Sequence, residues 1–415
     1  MKLLLYNPSQ IISVNTNGNN FKRGSDLNKL NLIENTSVLL ENDKISALIS
    51  NDDLNKYRYD EKIDLTNKIL LPGLVEAHTH LVFAGSRSDE FSMRLSGKSY
   101  EEISESGGGI NSTVKAVRES SFEELLKISK PKVENFIAQG VTTLEIKSGY
   151  GLSFYDEIKI LQVINELNSL FPIDIKATFL GAHTFPPEYK NDKNQYIKIL
   201  IKEIMPFIAK NKLATSCDAF CEKTAFSAEQ VDEIFKCAKE FGLDVKLHTD
   251  QFNVIGGVDV GLKFNAQSLD HLEVIGEDEI IKISESNSVA VLLPGVSFSL
   301  NYQFAPARKL IDHNAIVSLA TDYNPGSSHI NNISIIWGLA AIKMKMTAEE
   351  IISAYTINAA QALSVSKNTG SIEIGKDADF AVFDTKNYKD LIYSIGQNLC
   401  SMTIKKGKII HANLF

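Results

Sequence analysis

From residue 70 onward, short apolar runs that end in polar or glycine-containing segments recur along the chain, with stretches of helical periodicity between them. Short apolar runs of this kind fit buried strands, and their alternation with helices predicts βα units around a parallel sheet. The strand candidates are residues 70–80 (LLPGLVEAHTH), 141–151, 175–186, 217–226, 244–251, 266–274, 288–295 and 315–326. Between several of them a hydroxyl residue stands three positions before an acid or amide: Ser121 and Glu124, Ser153 and Asp156, Ser227 and Gln230, Thr347 and Glu350. That spacing lets one side chain cap a helix N-terminus. Val231, Ile234, Phe235, Ala238 and Phe241 then form a single apolar stripe at helical spacing.

Eight strands alternating with helices over some 300 residues is the arithmetic of a (β/α)8 TIM-like barrel, although a doubly wound open sheet gives a similar alternation. The polar residues favour the barrel. His78, His80, Tyr150, His183, His248, His271 and Asp322 all fall at or near the C-terminal ends of their predicted strands, where barrel active sites are built. The barrel is assigned to residues 65–367. Outside it the pattern changes to short apolar pieces broken by Asn, Asp and Gly. Residues 1–64 and 368–415 are therefore expected to form a second, smaller β-sandwich-like domain built from both chain ends, within an overall α/β fold. Residues 15–31 (NTNGNNFKRGSDLNKLN) are Asn-rich and weakly apolar, which predicts an exposed loop.

Composition narrows the partners. With 415 residues, 44% of them hydrophobic, the chain is long enough for one large core and a smaller one. A formal charge of −8 argues against nucleic acid or an anionic membrane, which need clustered Lys and Arg, and leaves a small molecule. The start MKLLLYNPSQ is too short an apolar run for a signal peptide, and no segment approaches the ~18 apolar residues of a membrane span, so a cytoplasmic location is expected. Four cysteines are too few and scattered for a disulfide framework. Cys217 and Cys221, four apart, read as buried reduced thiols rather than a metal pair, since no Cys or His companion stands nearby in sequence.

In an extended strand, side chains at i and i+2 leave the same face, so His78 and His80 point together. A metal ion needs three or four converging N or O ligands and one open position. His248 on the fifth strand and Asp322 on the eighth complete such a set. Taken singly, His248 would read as a core histidine and Asp322, before YNPG, as a turn cap.

The PGLVEAHTH strand, the KLHTDQ, DHLE and LATDYNPGSS segments, and the terminal GKDADFAVFD and KKGKII pieces resemble the amidohydrolase superfamily. HTHLVFAGSR, EIKSGYGL and LATDYNPGSS resemble, more narrowly, its imidazolonepropionase family, with similarity from about residue 35 to the C-terminus. The resemblance implies hydrolysis of the cyclic amide of 4-imidazolone-5-propanoate to N-formimidoyl-L-glutamate in histidine degradation. It assigns one divalent or trivalent metal ion per subunit to His78, His80, His248 and Asp322; Zn²⁺ suits these ligands best, and Fe would accept the same set. Many superfamily members bridge two metals with a modified Lys on the fourth strand, but Lys223 there has no counterpart in the related family, which predicts one metal. Asp322 is expected to accept and carry the proton, and His271 to orient water or shuttle the proton.

For the substrate, the resemblance implies Arg87 holding the propanoate carboxylate and Tyr150 and His183 donating to ring or carboxylate oxygens. Asn324, Gly326 and Ser327 would supply further donors. Some family members carry Glu where this chain has Gln251, which can bind a ring nitrogen or orient water but cannot take a proton. A homodimer follows only by family analogy. The Gly-rich SESGGGINST, residues 104–113, lacks the Lys-Ser/Thr of a phosphate cradle and is expected to be a loop over the site. Two alternatives stay open: a heterocycle deaminase on the same barrel and metal, which would release ammonia, and a barrel that binds a ligand without catalysis.

Overall fold

The eight predicted strands all form, with shorter ends, in the computed structural model, which describes residues 2–98 and 108–413. They are β1 (Leu74–Glu76), β2 (Val141–Lys147), β3 (Asp174–Ala182), β4 (Ser216–Cys221), β5 (Asp244–Thr249), β6 (Ser268–His271), β7 (Val289–Leu292) and β8 (Ile316–Leu319). Each pairs in parallel with its neighbours in sequence order. A doubly wound sheet would reverse that order at a switch point, and here it never reverses. The ends close on each other just beyond β1 and β8, where Asp322 N donates to His78 O at 3.1 Å and His80 N donates to Tyr323 O at 3.0 Å.

Alternation along the strands sorts the side chains. In β2, Leu144 and Ile146 pack into the main apolar core; Val245 and Leu247 of β5, Cys217 and Ala219 of β4, and Leu269 of β6 do the same. The residues between them, Glu145, Lys147, Asp218, Lys246 and Asp270, take the opposite face and are also fully buried. The barrel interior is thus charged where such barrels are more often filled with branched apolar residues. Lys147, Asp218 and Asp270 come from β2, β4 and β6, the alternate strands that supply one interior layer.

Helices begin at the expected caps. Ser121, Ser153, Ser227 and Thr347 each accept from the backbone N–H three residues on, opening helices Phe122–Ile137, Phe154–Leu170, Ala228–Glu240 and Ala348–Ala354. Val231, Ile234, Phe235 and Ala238 are buried as the stripe requires, but the helix ends at Glu240, and Phe241, at the cap, leaves the stripe and is exposed. All four cysteines are buried free thiols. Among the described residues no helix is long and apolar enough to cross a membrane.

Two further sheets flank the barrel. One, ordered Lys44–Ser50, Thr36–Glu41, Lys2–Tyr6, Glu61–Asp64, comes from the N-terminal end alone. The other mixes both ends: Lys408–Ala412, Cys400–Lys405, Phe380–Phe383, Ile69–Pro72, Gln10–Ile12, Leu32–Ile33. Leu3, Leu5, Val38 and Leu40 of the first share a core with Leu70, Phe380, Val382 and Ile404 of the second. Ile69–Pro72 lies in this sheet although the sequence pattern joins it to β1; the predicted strand 70–80 is cut at Gly73, whose N–H donates to Asp379 O at 2.9 Å.

The Asn-rich segment departs from its expectation as an exposed loop. Leu27 and Leu30 are buried, and Gly24–Asn28 forms a short 3-10 turn. Gly24 N donates to Ala315 O at 3.2 Å, and Lys22 N to Asn358 Oδ1 at 2.8 Å, while Asn358 Nδ2 donates to Val317 O of β8 at 2.8 Å. The segment therefore packs against the N-terminal end of β8, at the barrel base, and its two leucines are the apolar positions that pattern alone undervalued. Leu27→Ala is expected to cost about 2–5 kcal/mol in denaturant unfolding, as for other buried leucines; a change under about 0.5 kcal/mol would mark the segment as surface.

Candidate active site

The C-terminal rim of the barrel gathers the residues singled out by sequence. His78 and His80 follow β1, His248 lies on β5, His271 ends β6 and Asp322 follows β8. His78 Nε2 and His80 Nε2 each lie 3.4 Å from Asp322 Oδ1, and His80 Nε2 lies 3.4 Å from His248 Nε2. His78, His80 and Asp322 thus converge with ligand atoms within 4.8 Å of one another, His248 reaches His80 beside them, and His78, His248 and His271 form an adjoining group of the same kind.

The far sides of two rings are fixed by acids. Asp270 Oδ2 accepts from His78 Nδ1 at 2.6 Å, and Asp218 Oδ2 lies 3.0 Å from His248 Nδ1. A proton on Nδ1 leaves the Nε2 lone pair for the convergence point, the arrangement by which carboxylates orient metal-binding imidazoles. Burial pushes His78 and His80 well below the usual imidazole range, helped at His78 by the Lys147 charge and neighbouring imidazoles, and at His80 by His183 and His248. Both rings are neutral, as ligation needs. Burial raises the Asp322 carboxyl to about 6, against the pull of His271 and His248; a cation beside it would reverse that shift. His78 Nε2 and Asp322 Oδ1 are buried without a hydrogen-bond partner among the described residues. Unanswered polar atoms of this kind are costly, and a metal ion held among His78, His80, His248 and Asp322 would answer both.

Beside this cluster lies a cavity of about 560 Å³, enough for a small substrate. His80, His248, His271 and Asp322 line it together with Arg87, Tyr150, His183, Gln251, Asn324, Gly326 and Ser327. His78 sits beneath. The structure therefore gathers the residues singled out by sequence at this end of the barrel. His271 (φ 85°) and Asp322 (φ 47°) hold left-handed backbone that non-glycine residues seldom adopt, strain that sits at the functional end of the barrel.

Geometry revises some roles. His183 Nδ1 donates to Gly149 O at 3.0 Å, so its Nε2 is an acceptor. Burial lowers the ring to about 3, with His248 adding to the fall, so it does not gain a second proton. The donor role expected of His183 is thereby replaced by an acceptor role. Gly149 permits this approach: at φ +109°, a Cβ there would stand 3.0 Å from His183 Nδ1. Burial and the nearby Asp322 raise the Tyr150 hydroxyl far above the usual phenol range, so it keeps its proton and donates. Asn324 Oδ1 accepts from Gly326 N and Ser327 N, both at 2.8 Å, and Asn324 Nδ2 donates to Asp322 O at 2.7 Å. The donors of that turn are thus engaged in holding its shape and that of Asp322. For His271, burial lowers the pKa but Glu273, 3.3 Å from Nδ1, and other acids overcome it, and the net shift is upward.

Sequence reasoning passed over several neighbours. Glu90 Oε2 accepts from Arg87 Nε at 2.8 Å and lies 2.7 Å from its Nη2, and Arg94 Nη2 donates to Gly326 O at 3.3 Å. Asp218, Asp270 and Lys147 were also missed. An acid or lysine in the middle of an apolar strand was the available signal, because such a group is buried only when paired. Lys223 is exposed just past β4. In the Gly-rich run, residues 104–107 lie outside the described residues, while Ile110, which opens helix Ile110–Glu119, lines the cavity.

Comparison with known proteins gives the class and then the narrower group. The amidohydrolase family model matches residues 69–410, and the chain belongs to that family. The imidazolonepropionase of Geobacillus sp. (strain WCH70) is 41% identical over 414 residues, covering 98% of this chain and 97% of its own length. That of Clostridium tetani (strain Massachusetts / E88) is 41% identical over 413 residues, covering 99% and 98%. The chain belongs with these imidazolonepropionases and is a hydrolase of a carbon–nitrogen bond. E. coli guanine deaminase superposes with a TM-score of 0.74 over 100% of both chains at 16% identity, a likeness of fold.

Gly326 tests the position of the Arg87 guanidinium. A Cβ there would lie 2.0 Å from Arg87 Nη1, so Gly326→Ala is expected to displace the guanidinium and weaken carboxylate-bearing ligands roughly tenfold or more, with the unfolding midpoint unchanged. Unaltered affinity in a titration would show that Arg87 does not act from this position.

Proposed function

We propose that the chain hydrolyses the cyclic amide of 4-imidazolone-5-propanoate to N-formimidoyl-L-glutamate, a step of histidine degradation, with one metal ion held by His78, His80, His248 and Asp322. The convergence of His78 Nε2 and His80 Nε2 on the unpartnered Asp322 Oδ1, beside a cavity that also holds Arg87, is the observation that carries it. Zn²⁺ suits this imidazole and carboxylate set best and Fe fits it too. When bound, such an ion lowers the pKa of its water toward about 7 and polarises a carbonyl. By family analogy the enzyme is a cytoplasmic homodimer.

The remaining work falls to side chains. Arg87, held in orientation by Glu90, pairs with the propanoate carboxylate in the bidentate manner open to a guanidinium. Tyr150 donates to a substrate oxygen, and His183 Nε2 accepts from a ring N–H, which together select the ring's orientation. Asp322 takes a proton from the attacking water and passes it to the ring nitrogen, which leaves as the carbon–nitrogen bond breaks; the carbonyl carbon, having gained the water oxygen, becomes a carboxylate. His271, backed by Glu273, orients the water or relays that proton. Gln251 lines the cavity and can bind the ring, but it has no proton-accepting state.

Loss of imidazolone ultraviolet absorbance on addition of purified protein checks this directly, before and after chelation. Decay that stops on chelation and returns with metal is expected, without release of ammonia. Ammonia released with each turnover would indicate a deaminase, and no decay with any metal would overturn the assignment. Arg87→Ala should raise KM about tenfold or more, because a charge-assisted pair is lost. Asp322→Asn, with its metal content measured alongside, should lower kcat by about 10²-fold or more. A large gain from Gln251→Glu with Asp322→Asn still active would place the proton carrier at position 251 instead.

A further inference from the structure

Beneath the imidazoles, Lys147 of β2 is fully buried. Its ammonium has three N–H donors, and three carboxylates surround it: Asp218 Oδ2 at 2.7 Å, Glu145 Oε2 at 3.0 Å and Asp270 Oδ2 at 3.4 Å. Two of those oxygens are the ones that face imidazoles, Asp218 Oδ2 toward His248 Nδ1 and Asp270 Oδ2 toward His78 Nδ1. Glu145 is held from elsewhere, by Lys246 Nζ at 2.8 Å and Thr178 Oγ1 at 2.6 Å. The ammonium therefore sits where two separate acid–imidazole pairs meet.

We propose that Lys147 is a positioning residue for the metal centre: its ammonium ties Asp218 to Asp270 and, through them, sets His248 and His78 as one unit. The proposal rests on the reading that these two histidines are ligands. Without the ammonium, three carboxylates would face one another in a buried space, and like charges there repel strongly. The two acids that face rings would turn apart and carry the ring planes with them. An opposite effect is also available, because removing a cation near the site favours a metal ion by Coulomb's law. The sign of the change in affinity therefore decides between positioning and simple electrostatics.

The test uses the full chain, stripped of metal and titrated with Co²⁺ against a competing chelator, with the Co²⁺ visible spectrum recorded. The parent is expected to take one equivalent. Lys147→Met should bind about 10–100-fold more weakly, the usual cost of losing an orienting partner, with an altered spectrum. The same substitution in an Asp218→Asn/Asp270→Asn background should change affinity by less than about threefold, because its route to the rings is gone. Lys246→Met, on β5 and paired with Glu145 but touching neither ring-facing acid, should leave Co²⁺ affinity within about threefold of the parent. Equal or tighter binding by Lys147→Met overturns the proposal, and so does an equal loss in the Asn background or in Lys246→Met. Should Lys147→Met not fold, the cycle of Asp218→Asn with Asp270→Asn reads the same tie: non-additive losses support it and additive losses overturn it. A parent that binds no Co²⁺ overturns the ligand assignment and the proposal with it.

Discussion

A carboxylate in the middle of a strand must be met by a donor once it is buried, and the way Asp218 and Asp270 are met organises the working end of this barrel. Asp270 accepts from His78 Nδ1 and Asp218 lies 3.0 Å from His248 Nδ1, and both face the Lys147 ammonium on the other side. The rings of His248 and His78 are consequently turned so that Nε2, not Nδ1, reaches the convergence point. Were the acids apolar, the rings could rotate or take the other tautomer, and the lone pairs would not be aimed together.

Closure of the barrel places Asp322. Asp322 N donates to His78 O, and Glu76 Oε1 accepts from both His78 N and Thr321 N, so the chain after β8 is stitched to the chain after β1. That stitching holds Asp322 in left-handed backbone and presents Oδ1 to two imidazoles. Asn324 then fixes the turn that follows by accepting from Gly326 N and Ser327 N, and Gly326, lacking a side chain, leaves room for the Arg87 guanidinium. The placement of Asp322 beside the imidazoles and that of the Arg87 guanidinium are thus set by one short stretch of chain.

Much of this was legible because it is local. Strand and helix positions follow from apolar spacing and from caps such as Ser121 and Ser227, whose partners stand three residues away. The histidines were legible from their positions at strand ends. What stayed hidden depends on distant chain. Lys147, Asp218 and Asp270 meet because alternate barrel strands contribute to one layer, and no spacing within a strand announces that meeting. His183 changed from donor to acceptor because of one carbonyl, that of Gly149 on another strand's loop. Leu27 and Leu30 looked like loop residues because the surface that buries them is the barrel base, far along the chain.

The central claim is that water adds to the ring carbonyl carbon of 4-imidazolone-5-propanoate and the ring opens there. Turnover in ¹⁸O-labelled water, followed by mass spectrometry of the product, tests it most directly. The account predicts one labelled oxygen, located in the newly formed carboxylate, with all substrate nitrogen retained in the product. Label absent from that carboxylate, or an intact ring with nitrogen lost as ammonia, would contradict it.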